Sequence, residues 1–161
     1  MSNTDRIVKS VVLHAPRERV WRAISEADRF GAWFGVDFDG PFVAGAEVTG
    51  RIAPTQVDAD VAKLQAPHTG KPFRFRVGRI EPMSRLELRW HPYAIDPAVD
   101  YSREPMTTIE FVLEDAEGGT KLTITESGFD RIPLARRAEA YRANEGGWTH
   151  QARLVRKYVE A

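Results

Sequence analysis

The sequence predicts an α+β fold, a curved antiparallel sheet of about seven strands with two short helices after the first strand and a long C-terminal helix across its concave face. Three observations predict it: apolar residues alternate with polar ones in run after run through the middle of the chain, turn residues separate those runs, and the period lengthens to that of a helix after residue 134.

Residues 6–14 are rich in β-branched and aliphatic side chains, with Ile7, Val11 and Leu13 on one face and Val8 and Val12 on the other, and read as a strand that is not cleanly one-sided. Pro16 suits the first position of a helix, where a missing N–H costs nothing, and Val20, Trp21 and Ile24 supply its apolar stripe. A second short helix fits residues 26–33, with Gly35 placed to end it in the left-handed backbone conformation. Strands follow at Val36 and Phe38, at Val48, Gly50 and Ile52, at Phe73, Phe75 and Val77, at Leu86, Leu88 and Trp90, at Ile109, Phe111 and Leu113, and at Leu122 and Ile124. Gly40-Pro41, Gly45, Glu81-Pro82 and Gly118-Gly119 mark turns between them, so most connections read as hairpins. Residues 53–71 and 93–105 exceed hairpin length and are expected to form rims or lids.

Leu134, Ala138, Tyr141, Glu145, Trp148, Ala152, Val155 and Val159 are spaced alternately four and three apart, the inner stripe expected of a helix of about 40 Å over residues 134–160. Gly146 and Gly147 sit mid-helix, where each costs roughly 1 kcal/mol relative to Ala. Two readings stay open: a close approach of the helix backbone to the sheet or a ligand, or a break into two shorter helices.

At 161 residues the chain is expected to form one domain, 1–161, burying roughly two thirds of the surface of its unfolded form. Lys plus Arg and Asp plus Glu both number 23, so no net field draws the protein to nucleic acid or to anionic lipid. There is no Cys, which excludes disulfides, thiolate nucleophiles and thiolate metal sites. The first residues are polar and no run approaches the ~18 apolar residues of a spanning helix, so the expectation is a cytoplasmic protein without membrane contact.

The stretch Val12-Leu13-His14-Ala15-Pro16-Arg17-Glu18-Arg19-Val20-Trp21, followed by Trp33-Phe34, resembles the Ala-Pro-x-x-x-Val-Trp and Trp-Phe signature of START-like proteins. Gly118-Gly119-Thr120-Lys121-Leu122-Thr123-Ile124, Glu126-Ser127-Gly128-Phe129, and Gly147-Trp148 followed by Leu154 and Tyr158 extend the likeness over nearly the whole chain. Together these resemble the bacterial branch of the family named after activators of the ninety-kilodalton heat-shock-protein ATPase, within the SRPBCC superfamily. The resemblance implies the helix-grip (START-like) fold. It is less specific for function, because members of the superfamily bind lipids, hormones or polyketides, regulate partners, or catalyse cyclisations and hydroxylations.

Motifs of catalysis are sparse. Ser127 lacks the Gly-x-Ser-x-Gly frame, so no catalytic residue is assigned. His14, His68, His91 and His150 show no metal-ligand spacing, and neither a metal nor another cofactor is expected. The acidic pairs Asp58 with Asp60 and Asp96 with Asp100 lack the frame of a calcium loop and read as solvated loop charge. Gly118-Gly119 precedes a strand, not a helix, and so is no phosphate cradle.

Aromatic side chains facing inward are the clearest signal. Trp33, Phe34, Phe38, Phe42, Phe73, Phe75, Trp90, Phe111 and Trp148, with Ala152 and Val155 of the helix, are expected to line an apolar cavity, although Phe75 and Phe111 also suit plain core filling. Trp33, Phe34 and Trp90 are assigned to its mouth and the helix around Gly147-Trp148 to its lid. Glu126 shares parity with Leu122 and Ile124 and so points inward, either to orient a ligand or act as acid or base, or to pair with Arg51, Arg74 or Arg76. Glu145 is placed on the inner stripe, and His91, off the parity of Trp90, at the surface. Three functions follow: binding of a small hydrophobic or aromatic ligand, a cyclase or hydrolase using Glu126, or a chaperone-regulating interaction module, in a monomer or homodimer.

Overall fold

A computed structural model describes residues 6–94 and 98–161; the expectation for Asp96, and that for the polar start of the chain, fall outside the described residues. The elements are β1 (Arg6–Leu13), α1 (Arg17–Ser25), α2 (Ala27–Phe34), β2 (Val36–Phe38), β3 (Glu47–Ile52), α3 (Ala59–Gln65), β4 (Pro72–Glu81), β5 (Arg85–Trp90), β6 (Thr107–Ala116), β7 (Gly119–Ser127) and α4 (Leu134–Glu160). All strand pairs are antiparallel, in the order β1-β7-β6-β5-β4-β3-β2, so β2 to β7 form a meander and β1 adds to its far side. This is the α+β arrangement that the periodicity predicts, and it matches the helix-grip fold that the resemblance implies.

The strands alternate, with a register shift in β4 between Val77 and Ile80. Leu86, Leu88, Ile109, Phe111, Leu122 and Ile124 are fully buried on the concave face, while Val8 and Val12 of β1 are exposed on the other. Helix α2 ends where expected, on Gly35, whose φ of 101° is costly for any residue with a Cβ. Pro16 stands one position earlier than predicted: it is the N-cap of α1, with extended backbone.

The segment 53–71 is not a plain loop. Asp58 caps α3, accepting from the N–H groups of Asp60 and Val61 at 3.0 Å each, and a short 3₁₀ turn follows at Ala66–His68. Asp58 is also buried, and Lys157 of α4 donates to it at 2.5 Å, which corrects its reading as solvated charge. Periodicity could not reveal α3, since only Val61 of its seven residues is buried.

Helix α4 is continuous, and a Cβ added at Gly146 or Gly147 would meet nothing within 4 Å. Neither the break nor the close backbone approach therefore holds. The helix packs against β1, α1 and α2. Its buried residues are Ala140, Trp148, Leu154, Val155 and Val159: Trp148, Val155 and Val159 fall on the predicted stripe, while Ala140 and Leu154 each lie one residue before a predicted position. Leu134 is 80% exposed, and Glu145 turns toward β1, where Lys9 donates to it at 2.6 Å. Glu145 is thus a partly exposed ion pair and not an inward group.

Candidate ligand groove

The register sets three polar side chains side by side on the concave face. Trp90 pairs with Thr107 across β5 and β6, Ile109 lies two residues beyond Thr107, and Glu126 of β7 pairs with Ile109. Helix α4 lays Asn144 and Trp148, one turn apart, over the same spot. Glu126, with no exposed surface, accepts from all four. Its Oε1 takes the Trp148 indole N–H at 2.8 Å and the Asn144 amide at 2.9 Å, and its Oε2 takes the Trp90 indole N–H at 2.7 Å and the Thr107 hydroxyl at 2.5 Å. A carboxylate has about four lone-pair sites, and protein donors use them all. No arginine takes part: Arg74 pairs with Glu47 at 3.3 Å, and Arg51 and Arg76 are exposed.

The interior itself is filled. Phe30 stands at its centre, with ring centroids 4.7 Å from Trp33, 4.9 Å from Phe34, 5.4 Å from Phe42 and 5.8 Å from both Phe75 and Phe111. Trp33 is therefore core and not mouth, completely buried with its indole N–H on the Ala23 carbonyl at 2.9 Å. Phe42, Phe75, Phe111 and Val155 are buried in the same cluster.

Open space lies at one end of the sheet. Strand β4 pairs with β5 only from Arg76 onward, which leaves residues 72–75 as a rim. Over it runs a groove of about 680 Å³, drawing Gly50, Ile52, Phe73 and Trp90 from the concave parity, Thr49, Arg51, Arg74 and His91 from the other, and Tyr93 and Asn144 from the flanks. A slot of about 80 Å³ continues beneath α4 between Phe34, Trp90, Trp148 and Gln151, bordered by Gly147. A third void of about 180 Å³ lies between Phe34, Phe73, Gln151 and Leu64 of α3.

Of the side chains expected to line a cavity, Phe34, Phe73, Trp90 and Trp148 border these three voids. Phe38 faces a separate depression near Gly40, while Trp33, Phe42, Phe75, Phe111, Glu126, Ala152 and Val155 border none of the three. Sequence reasoning missed Asn144, whose signal was its place four residues before Trp148 on the same helical face, and Gln151, three residues after it. It also missed Phe30, three and four residues before Trp33 and Phe34.

Two polar atoms here lack partners among the described residues, Nδ1 of His91 and Oε1 of Gln151, both shielded from solvent. The Gln151 Nε2 donates to the Phe34 carbonyl at 3.1 Å, which fixes the orientation of the amide. His91 lies on the outward parity as expected but is half-buried there, and that burial holds its imidazole below its usual pKa. Tyr93 takes a left-handed φ of 51° at the groove edge and donates its hydroxyl to Glu139 at 3.3 Å. Arg136 of α4 holds Pro92 and Glu104, donating to the Glu104 carboxylate at 2.6 and 2.9 Å and to the Pro92 carbonyl at 2.8 Å. Among the described residues no group of three or more His, Asp or Glu could hold a metal, and no helix is long and apolar enough to cross a membrane.

The family model described as Activator of Hsp90 ATPase homolog 1-like protein matches residues 14–160. The chain belongs to that family. No curated protein matches it. Among solved structures, DynU16, a protein of the dynemicin biosynthetic locus, is 23% identical with a TM-score of 0.67; the match covers 98% of this chain and 48% of that one, so this chain spans about half of DynU16. The solution structure of a protein from Arthrobacter aurescens is 15% identical with a TM-score of 0.72, covering 99% of this chain and 89% of that one. The Aha1 dimer from Colwellia psychrerythraea is 18% identical with a TM-score of 0.67, covering 96% of each chain. At such identities these likenesses establish the fold alone.

Proposed function

We propose that this family member binds a small hydrophobic or aromatic molecule in the groove between β3–β5 and α4, and that it is a container and not a catalyst. The observation that carries this reading is the state of Glu126. A general base needs a lone pair facing its substrate. Glu126 has both oxygens engaged by protein donors, no exposed surface and no place on the groove wall. Its role is to hold the indoles of Trp90 and Trp148 in place, and those rings form the apolar wall. Volume supports the same reading, since sites for small molecules occupy roughly 300–1,000 Å³ and combine aromatic walls with a few polar groups. The test is a panel of lipids, polyketides and aromatic metabolites scored by thermal shift and tryptophan quenching. Saturable binding by an aromatic member is expected, and its absence across the panel would end the proposal.

A second reading, self-association, has one observation behind it. Strand β1 is a sheet edge with Val8 52% and Val12 39% exposed, and one relative is described as a dimer. Light scattering on the wild type and on a Val8→Lys/Val12→Lys variant tests it, with a dimer in the first and a monomer in the second as the supporting result. Regulation of a heat-shock-protein ATPase rests on the family description alone, and an ATPase assay with the bacterial chaperone decides it.

A further inference from the structure

The groove joins an apolar floor to a basic rim, and the rim bears on what the ligand is. Arg51 pairs with Pro72 and Thr49 with Arg74 across β3 and β4, so Arg51 and Arg74 are diagonal neighbours on the convex parity. Arg76 lies two residues further along, directly opposite Arg89 of β5. Four guanidinium groups thus share one face of three adjacent strands. Arg74 pairs with Glu47 at 3.3 Å and Arg89 with Glu87 at 2.9 Å, while Arg51 stands opposite Asp37 of β2 and Arg76 opposite Glu47 of β3 without an ion pair within 4 Å among the described residues. Asp37, Glu47 and Glu87 offset part of this positive charge on the same face, and Arg51 is left with guanidinium donors that no carboxylate among the described residues takes up.

The groove lining includes Arg51 and Arg74 but one carboxylate, Asp39, and that side chain already accepts from the Thr49 hydroxyl at 2.8 Å. His91 adds a shielded nitrogen without a partner among the described residues at the same rim. The chain as a whole has no net charge, and the void has the size of a small-molecule site, so neither favours a polyanion as the occupant.

We propose that the groove selects an amphipathic organic anion, its apolar ring against Phe73 and Trp90 and its carboxylate at Arg51 and Arg74. The guanidinium fork matches a carboxylate in shape as well as charge. This rests on the binding function proposed above and adds the charge of the ligand to it.

The experiment compares 2-naphthoate with its neutral isostere 2-naphthamide by titration calorimetry. Naphthoate should bind about fivefold or more tightly at low ionic strength, the scale of a charge-assisted hydrogen bond. The preference should shrink as salt is added and fall toward one in Arg51→Gln and Arg74→Gln. Equal affinities in the wild type would overturn the anion assignment and leave the groove standing. Preference unchanged in both variants would overturn the assignment of these two arginines. Binding of neither compound would overturn this inference, while the groove reading falls only if the whole panel also fails to bind.

Discussion

Glu126 owes its place to strand parity and its character to what surrounds it. Two indoles can only donate, so Glu126→Gln would set an amide N–H₂ against donors that have nowhere to turn. The expected cost is about 2 kcal/mol, the penalty of buried polar groups left unmatched, read from the urea midpoint. Asp58 behaves differently. The Lys157 ammonium, helped by the N–H of Val61, holds its carboxyl at about 2, below its ordinary value of 3.8. A depressed carboxylate pKa stabilises the fold above the ordinary value, and that stabilisation is lost as pH falls through the folded value. Wild type should therefore lose stability from about pH 4 to about pH 2 more steeply than Asp58→Asn, as urea titrations across that range would record. The inward direction of Glu126 was legible from Leu122 and Ile124, but its donors were not, because Trp90, Thr107, Asn144 and Trp148 meet only once three strands and a helix have assembled. For His91 parity correctly assigns the outer face, but not its half-burial there, which lowers its pKa against Glu104 and Asp100 and together with Arg136 and Arg74.

At the scale of elements, α4 is a lever whose rotation decides the site. Its period was legible, but part of the stripe was off by one residue, so Glu145 was chosen where Asn144 faces inward. Long polar residues blur the edge of an amphipathic stripe, and Tyr141 and Ala152 are only partly buried. Gly146 has free space around it and ordinary helical backbone, so Gly146→Ala should stabilise the protein by about 1 kcal/mol, seen as a raised urea midpoint. The segment after β5 depends on Arg136, whose side chain and that of Glu104 are 18% and 17% exposed. Arg136→Ala should accelerate amide exchange over residues 98–104 while β6 and β7 keep their protection. Helix α3 was illegible because it touches the core through Val61 alone, being held instead by Asp58 and by Gln65, which donates to the Phe34 carbonyl and accepts from the Thr55 N–H.

Across the whole molecule, the curved sheet and α4 were expected to enclose a cavity, and aromatic packing moves that cavity to the mouth. Phe30, contributed by α2, occupies the space that the concave face leaves below the helix. Edge-to-face contacts to Phe42, Phe75 and Phe111 close it, and interiors so packed hold few voids larger than a water molecule. What stays open is the rim where β4 outruns β5. The division between a sealed centre and an open end assigns different fates to Trp33 on one side and Trp90 and Trp148 on the other. Two-dimensional NMR of the indole N–H groups during titration with 2-naphthoate tests this directly. The signals of Trp90 and Trp148, anchored on Glu126 at the groove wall, should shift saturably while that of Trp33 stays fixed. A titration that leaves Trp90 and Trp148 unmoved, or moves Trp33 instead, would contradict the account.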